Sequence, residues 1–352
     1  MGQRGPWRIL AASPGVGWDI EAAVIRAAGD EATFAAVGDA PPAAWLALAR
    51  EADGLIAGNE PYTRRILEQL DRVKVISRPA VGFDQVDIDA AADLGIVVTH
   101  VPDYCTDEVS DHAMALLLAL HRRVPWLDGA IKAGRWGQAP VYGGGRPASF
   151  HAGEVPGPPL PLRGQTLGIV GFGRIGRVVA EKARGFGLRL LAHDPHLPPD
   201  AGESYGVELT SLDRLLAEAD MVTIHCLLNA GTQGLLDAAA FARMKPTAVL
   251  VNTARGPIVD PDALVAALRG GQIAAAALDV TDPEPPAADS PLLSLPNLLL
   301  TPHSAYYSDR SRAEVRRRGA EHILAVLRGE RPHFVANPAV FERRRLRAGA
   351  DD

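Results

Sequence analysis

The stretch Thr166–Gly176, with the sequence TLGIVGFGRIG, decides how the second half of the chain folds. Its beginning is apolar enough for a buried strand, and an apolar helical pattern starts directly after it. Between these elements, Gly171, Gly173 and Gly176 form the pattern G-x-G-x-x-G. In this setting the first glycine permits a tight turn, the second the close approach of a pyrophosphate, and the third the packing of helix on strand. The stretch therefore predicts a strand, a phosphate-binding turn and a helix.

The residues around this turn point to a dinucleotide. Arg174 and Ile175 begin the helix, where backbone NH groups can bind phosphate. Asp194 ends the next apolar run, LRLLAHD, where a carboxylate can accept hydrogen bonds from both ribose hydroxyls. The same charge repels a 2'-phosphate and no arginine follows it, so NAD is favoured over NADP. A cluster of turn glycines with an Asx turn at Asp194 is the alternative.

Apolar strands alternate with helical patterns on both sides of this stretch. Downstream the strands are MVTIHC, AVLVNT, IAAAALDV and NLLLTPH, and the first hundred residues contain RILAAS, GLIAG, VKVISR and GIVVTH. Strands separated by helices predict parallel sheets that are covered by helices. We therefore expect an α/β protein with two Rossmann-like or flavodoxin-like domains, parallel sheets, and an active-site cleft between the domains.

Two helices and one irregular segment organise the rest of the chain. Apolar positions three and four residues apart predict a helix over Thr106–Arg122, and a second helix near Ser308–Leu327 is expected to return to the first domain. Residues 137–164 contain seven Gly and six Pro among 28 residues, which disfavours a stable helix or a central strand. This segment is predicted to be a long loop or arm.

Composition and charge argue against several classes of protein. The longest apolar run, Ala113–Leu120, is far shorter than the roughly 18 residues that cross a bilayer, and a cytoplasmic location is expected. A net charge of -6 argues against a nucleic-acid partner, and we interpret the basic runs Arg316–Arg318 and 342–347 as solvated faces. Cys105 and Cys226 lack the spacing of metal ligands, so we expect no metal site.

Three polar residues follow successive predicted strands, at the edge where ligands bind in open α/β sheets. Arg255 follows AVLVNTA, Glu284 follows AAAALDVTDP, and His303 follows NLLLTP. Reduction of a 2-oxo acid needs a proton donor, a cation for the carboxylate and a group that favours the protonated donor. Imidazole, guanidinium and carboxylate supply these three functions. Each residue alone has an ordinary structural explanation, but together they predict an acid/base centre.

The blocks GFGRIG, NTARG, ALDVTDPEP and TPH, in this order and spacing, resemble the D-isomer-specific 2-hydroxyacid dehydrogenase family. Within that family, ISRPAVGFDQVDIDAAADLGI, TIHCLLN and TPHSAYYS resemble the C-terminal-binding-protein (CtBP)-like group. The resemblance implies hydride transfer between nicotinamide and C2 of a small 2-oxo or 2-hydroxy acid, and a homodimer. It also implies a substrate-binding domain at 1–105 and 306–340, an NAD-binding Rossmann domain at 106–305, and a tail at 341–352.

The resemblance also assigns roles to individual residues. Arg255 matches the family's substrate-orienting arginine, Glu284 the partner of the histidine, and His303 the acid/base. Asp279 is expected to face the nicotinamide amide, and a strand-end cap is the alternative. His225 ends the strand MVTIHC, which faces the cofactor crevice, so it is expected at the cofactor, and a purely structural role is the alternative. Thr253 and Ala254 are also expected at the cofactor.

Four residues are expected to shape the substrate pocket. The backbone NH groups of Val81 and Gly82 match positions that bind the substrate carboxylate. Tyr306 stands where the CtBP-like group has a pocket tryptophan, so it gives an aromatic wall with a hydroxyl tip. Arg78 aligns with an arginine near that pocket, and a surface arginine beside a loop is the alternative.

Two functions are compatible with these features. The first is an NAD-dependent D-2-hydroxyacid dehydrogenase, or 2-oxo acid reductase. The second is a CtBP-like scaffold that senses NAD(H) with little turnover. A scaffold needs only the glycine turn and Asp194, whereas this chain also carries three converging polar groups. The sequence therefore favours the enzyme.

Overall fold

The computed structural model describes residues 6–11, 17–37, 42–58, 60–134 and 161–342. The loop predicted at 137–164 lies outside the described residues except for its last four positions. The predicted tail at 341–352 also lies outside them, except for its first two residues, which end a short helix.

The described residues form twelve strands and twelve α-helices. The strands are β1 (Trp7–Ala11), β2 (Ala32–Ala36), β3 (Gly54–Ile56), β4 (Val75–Arg78), β5 (Val97–His100), β6 (Thr166–Val170), β7 (Arg189–His193), β8 (Glu208–Leu209), β9 (Met221–Ile224), β10 (Val249–Asn252), β11 (Ala275–Leu278) and β12 (Leu298–Leu300). The helices are α1 (Asp19–Ala27), α2 (Pro42–Ala49), α3 (Arg64–Leu67), α4 (Ile88–Asp93), α5 (Thr106–Arg122), α6 (Val124–Lys132), α7 (Arg174–Arg184), α8 (Leu212–Glu218), α9 (Ala238–Arg243), α10 (Pro261–Arg269), α11 (Asp309–Leu327) and α12 (Ala339–Glu342).

These elements divide into two compact units. The first unit comprises Met1–Cys105 and Ser308–Asp352, and the second comprises Thr106–Tyr307. The second boundary lies two residues later than the predicted one. Tyr306 and Tyr307 belong to the second unit because they continue the turn after β12, where the NH of Tyr307 donates to the carbonyl of Ser304 at 2.9 Å.

The first unit contains a parallel five-stranded sheet in the order β2-β1-β3-β4-β5. This is the flavodoxin-like order, and it confirms the predicted parallel α/β architecture for this unit. The sequence pattern did not predict β2. Four of its five residues are exposed or half-buried, because it is an edge strand, so the continuous apolar run of a central strand is missing.

The returning helix α11 completes the core of the first unit. Its N-terminus carries a capping box, in which Ser308 and Ser311 each accept a hydrogen bond from the other's backbone. The buried face of the helix includes Val315, Ala320 and Ile323. Helix α11 packs on α1, β3 and β4. A segment from late in the chain therefore covers a sheet whose strands all come from the first hundred residues.

The basic run Arg316–Arg318 on α11 corrects our expectation of a solvated face. Arg316 is buried, and its guanidinium donates to the carboxylate of Glu21, which is only 1% exposed, at 2.6 to 3.0 Å. Arg318 pairs with Asp103 at 2.7 Å. The acidic partners lie far away in the chain, so a local pattern of charges gives no sign of them.

The second unit contains a parallel seven-stranded sheet in the order β12-β11-β10-β9-β6-β7-β8. Six of these strands were predicted, and the unpredicted β8 has only two residues. The order is that of a Rossmann sheet, and the direction of strand addition reverses at β6. The carboxyl ends of the strands therefore meet at one edge, where ligands bind in such sheets.

Both faces of this sheet are covered by helices. Helix α5 has the predicted bounds, and it packs with α7 on one face against residues such as Leu167 and Ile169 of β6. Helices α8, α9 and α10 cover the other face, which includes Val170 of β6. Among the described helices, none combines the length and the hydrophobicity that a membrane span requires.

We predict that Arg316→Ala lowers the free energy of unfolding by about 3 kcal/mol or more, because it leaves the buried carboxylate of Glu21 without its guanidinium. Urea unfolding followed by circular dichroism measures this loss. Arg317→Ala on the same helix is the control. Among the described residues, Arg317 pairs with Glu314 and Glu321, which are more exposed than Glu21, so its substitution should cost less than about 1 kcal/mol. Equal losses for the two variants would contradict the prediction.

Candidate active site

The glycine turn after β6 is shaped by close packing. Gly171 has a φ of +92°, and a Cβ atom there would lie 2.4 Å from the backbone nitrogen of Cys226. A Cβ atom at Gly176 would lie 2.3 Å from the carbonyl oxygen of Gly171. Both glycines are therefore required by the fold, one for the turn after β6 and one for the packing of α7 on that turn.

Gly173 differs from Gly171 and Gly176 because a Cβ atom there would meet no atom of the described residues within 4 Å. It precedes the 11-residue helix α7, whose first turn contains the predicted residues Arg174 and Ile175. The first NH groups of a helix lack partners within the helix and attract anions. A dinucleotide fits this arrangement, since the backbone is open at Gly173 and its phosphates would approach a helix N-terminus.

Asp194 directly follows β7 and connects it to the glycine turn. Its Oδ2 accepts a hydrogen bond from the NH of Phe172 at 3.0 Å, and its Oδ1 accepts one from the NH of His196 at 3.1 Å. The second contact is the Asx turn that was the alternative interpretation. It does not exclude the role at the ribose, because each carboxylate oxygen can accept a further hydrogen bond.

Two predicted cofactor residues, His225 and Thr253, follow β9 and β10. Burial lowers the pKa of His225 to about 3, so its imidazole is neutral around pH 7. Its Nε2 lies 2.9 Å from the hydroxyl of Thr223. Among the described residues, neither its buried Nδ1 nor the buried hydroxyl of Thr253 has a hydrogen-bond partner. Such atoms usually mark a ligand or an ordered water molecule.

Cys226 lies beside the glycine turn, next to His225. Burial raises the pKa of its thiol to about 11, with a smaller contribution from the charge of Asp194. The thiol is therefore protonated around pH 7 and is not a nucleophile.

The turn that carries Arg255 is held by Asn252, a buried residue at the end of β10 that sequence reasoning missed. The Asn252 side chain donates to the carbonyl of Arg255 at 2.8 Å and accepts from the NH of Ala254 at 3.0 Å. Arg255 itself is half-buried and donates from Nη1 to the carbonyl of Ala254 at 2.8 Å. An asparagine at the end of an apolar strand is a common turn former, and this signal could have identified it.

The structure brings Glu284 and His303 together, as predicted. Nδ1 of His303 lies 2.5 Å from Oε1 of Glu284, and the two side chains are 40% and 42% exposed. His303 has a φ of +50°, a left-handed conformation that is uncommon for a residue other than glycine. The ring of Tyr306 stands edge-on to the imidazole, with the ring centres 6.2 Å apart. An imidazole thus lies between a carboxylate and an aromatic wall.

Asp279 is buried beneath this histidine, at the end of β11. Its Oδ1 accepts hydrogen bonds from the hydroxyl of Thr301 at 2.5 Å and from the NH of Ser304 at 2.9 Å. Its Oδ2 accepts from the NH of Ala305 at 2.9 Å. These contacts agree with the alternative interpretation as a cap. The visible role of Asp279 is to hold the loop of His303, and its contact with nicotinamide stays a prediction.

The three predicted catalytic residues follow β10, β11 and β12, which are neighbours in the sheet. The turn after Arg255 approaches the segment before Glu284, since a Cβ atom at Gly256 would lie 2.0 Å from the carbonyl oxygen of Thr281. A cation, a carboxylate and an imidazole at adjoining strand ends can bind an acid and exchange a proton with it. In the described part of the chain, no group of three His, Cys, Asp or Glu side chains could hold a metal ion.

The predicted substrate residues of the first unit have structural contacts of their own. The guanidinium of Arg78 donates to the carbonyl of Gly58 at 2.6 Å. The carbonyl of Val81 accepts a hydrogen bond from Nδ1 of His100 at 3.0 Å, and the adjacent Gly82 is buried. Arg78 is half-buried and its Nε is buried, so it is not the surface arginine of the alternative interpretation, and the substrate contacts of these residues stay predictions.

Comparisons with known proteins agree with this geometry. Residues 114–305 match the family model described as D-isomer specific 2-hydroxyacid dehydrogenase, NAD binding domain. The chain is 38% identical to a glyoxylate reductase of Korarchaeum cryptofilum over 86% of its own length and 89% of that protein. It belongs to the D-isomer-specific 2-hydroxyacid dehydrogenase family. It is therefore an NAD-dependent oxidoreductase that acts on CH–OH groups.

Other relatives of this dehydrogenase extend the comparison. It is 37% identical to a D-3-phosphoglycerate dehydrogenase of Methanocaldococcus jannaschii over 82% of its length, but spans only 52% of that protein. A solved structure of D-lactate dehydrogenase from Aquifex aeolicus, complexed with NAD and lactic acid, matches with a TM-score of 0.78 and 26% identity. The match covers 94% of this chain and 99% of that chain.

We predict that Gly171→Ala lowers the free energy of unfolding by at least about 2 kcal/mol, because the methyl group meets the backbone of Cys226 at a strained φ. The midpoint of thermal unfolding without NAD should fall by roughly 4 to 8 °C. Gly173→Ala is the matched control and should leave this midpoint unchanged, since its methyl group would enter open space. If the unfolding midpoint fell equally in both variants, the close packing around Gly171 would not be the cause of its sensitivity, and the prediction would be wrong.

Proposed function

We propose that this dehydrogenase reduces small 2-oxo acids to D-2-hydroxy acids with NADH, and that His303, Glu284 and Arg255 carry the acid/base chemistry. One observation supports this proposal most strongly. His303 contacts Glu284 at 2.5 Å, at the edge of a parallel sheet whose first turn is the open glycine turn at Gly173. The acid/base pair and the cofactor turn thus lie at the same edge of one sheet.

The contact with Glu284 defines which atom of His303 exchanges the proton. Because Nδ1 is directed to Glu284, we assign the proton exchange to Nε2. The carboxylate holds the ring in one orientation and stabilises the imidazolium. Both side chains are partly exposed, so the pairing strengthens when a bound substrate excludes water from them.

We assign substrate binding in the second unit to Arg255 and Tyr306. The guanidinium of Arg255 is suited to grip the carboxylate of the substrate with two hydrogen bonds. The ring of Tyr306, beside His303, limits the room for the substrate side chain. Bound nicotinamide supplies the hydride donor or acceptor. His303 protonates the carbonyl oxygen in reduction and, when neutral, removes the hydroxyl proton in oxidation.

A small substrate such as glyoxylate is favoured by the comparisons. The glyoxylate reductase of Korarchaeum cryptofilum matches this chain along 89% of its length, whereas the D-3-phosphoglycerate dehydrogenase is matched over only 52%. In the first unit, substrate binding by Arg78, Val81 and Gly82 stays a prediction. The homodimer also stays a prediction, because it rests on the family resemblance alone.

We predict that His303→Asn lowers kcat for reduction of glyoxylate by about 10²-fold to 10⁴-fold, because it removes the proton donor. Asparagine is chosen because it tolerates the left-handed backbone at this position. The loss of NADH absorbance measures turnover, and fluorescence titration measures NADH affinity, which should stay within about threefold of wild type. Retained turnover would remove His303 from the acid/base role.

The wild-type protein in the same assay separates the enzyme from the NAD(H)-sensing scaffold. The enzyme turns over at least one member of a panel of glyoxylate, pyruvate and longer 2-oxo acids. A CtBP-like sensor binds NADH tightly and turns over none of them. The contact between His303 and Glu284 favours the enzyme, because a sensor has no need of an acid/base pair.

We further predict that Asp194→Ala reduces the preference for NADH over NADPH by about tenfold or more, since it removes both the ribose acceptor and the charge that repels a 2'-phosphate. The ratio of kcat/KM for the two cofactors measures this preference. Asp200→Ala is the control, because Asp200 is an exposed carboxylate on the segment after β7. An unchanged ratio in Asp194→Ala would refute the ribose role.

A further inference from the structure

The loop Thr301–Ala305 must be held by other parts of the molecule. His303 has a φ of +50° in the middle of this loop, and such a conformation persists only where its surroundings impose it. Pro302 has no NH group with which to hold the loop. The position of the acid/base imidazole therefore depends on the contacts of its neighbours.

Asp279 provides four of these contacts, three of them through its carboxylate. Its side chain is 1% exposed, and it accepts hydrogen bonds from Thr301, Ser304 and Ala305, as described above. Its backbone carbonyl accepts from the NH of His303 at 2.7 Å. A buried carboxylate needs donors that are fixed in direction, and two of these three donors are backbone NH groups. The third, the hydroxyl of Thr301, can rotate.

His112 on α5 contacts this hydroxyl. Its Nε2 lies 3.1 Å from Oγ1 of Thr301 and 3.6 Å from Oδ1 of Asp279. Because the hydroxyl donates to Asp279 at 2.5 Å, its oxygen is left to accept from Nε2–H of His112. The three groups thus form one directed chain from the imidazole through the hydroxyl to the carboxylate.

The helix that carries His112 is anchored on both sides of this residue. Lys182 of α7 donates to the side chains of Ser110 and Asp111, each at 2.7 Å. The next residue, Ala113, is buried in the core beneath the sheet. The imidazole is therefore presented from a fixed element, as positioning requires.

We propose that His112 is a positioning residue for His303: through the hydroxyl of Thr301 it fixes the buried carboxylate of Asp279, which holds the loop in its left-handed form. This inference rests on the proposed function, in which His303 exchanges the proton. His112 itself does not touch the reacting atoms.

Three variants test this role. His112→Leu removes the donor, while His112→Gln keeps an NH group near the place of Nε2. Thr301→Val removes only the hydroxyl and serves if His112→Leu does not fold. For His112→Leu and Thr301→Val we expect kcat to fall about tenfold to a hundredfold, with NADH affinity unchanged. His112→Gln should recover kcat to within about threefold of wild type.

Hydrogen exchange, followed by NMR without any substrate, gives a second measurement. The amides of His303, Ser304 and Ala305 should exchange at least about tenfold faster in His112→Leu and Thr301→Val than in wild type and His112→Gln. Unchanged exchange in both the Leu and Val variants overturns the proposal, whatever happens to kcat. If wild type turns over no 2-oxo acid, the proposed function fails, while the exchange rates still decide whether His112 holds the loop.

Discussion

The parallel pairing of β6 to β12 is the constraint on which the rest of the second unit depends. It places the carboxyl ends of these strands at one edge of the sheet. Residues as distant in the chain as Gly171 and His303 therefore lie at a common edge. The reversal of strand order at β6 divides that edge. The glycine turn and Asp194 follow β6 and β7 on one side, while His225 and the acid/base residues follow β9 to β12 on the other.

Much of this architecture could be predicted from the sequence, because buried parallel strands are continuous apolar runs and amphipathic helices repeat their apolar positions. Helix α5 has the predicted bounds for this reason. The edge strands β2 and β8 escaped prediction, since one is mostly solvent-exposed and the other has two residues. The partners of Arg316 and Arg318 also escaped, because long-range ion pairs leave no local pattern.

The candidate site shows the same division. Arg255, Glu284 and His303 could be predicted because they lie within a few residues of the ends of successive strands, and the structure shows the contact between Glu284 and His303. The network beneath them could not. His112 lies 189 positions before Thr301, and one histidine on an amphipathic helix resembles any other. In this network the buried carboxylate of Asp279 holds the loop of His303. This structural role is separate from the contact with the cofactor that the sequence predicts.

The second unit is inserted between the two chain segments of the first, and this order has a consequence for biosynthesis. The sheet of the first unit is encoded before residue 106, but the helix that covers β3 and β4 ends at residue 327. The contiguous second unit can form its own core as soon as it leaves the ribosome. Until α11 has been translated, that face of the first unit's sheet is covered only in part, by residues such as Ile25 of α1. Ribosomal pausing before α11 would prolong the exposure of the remaining apolar surface.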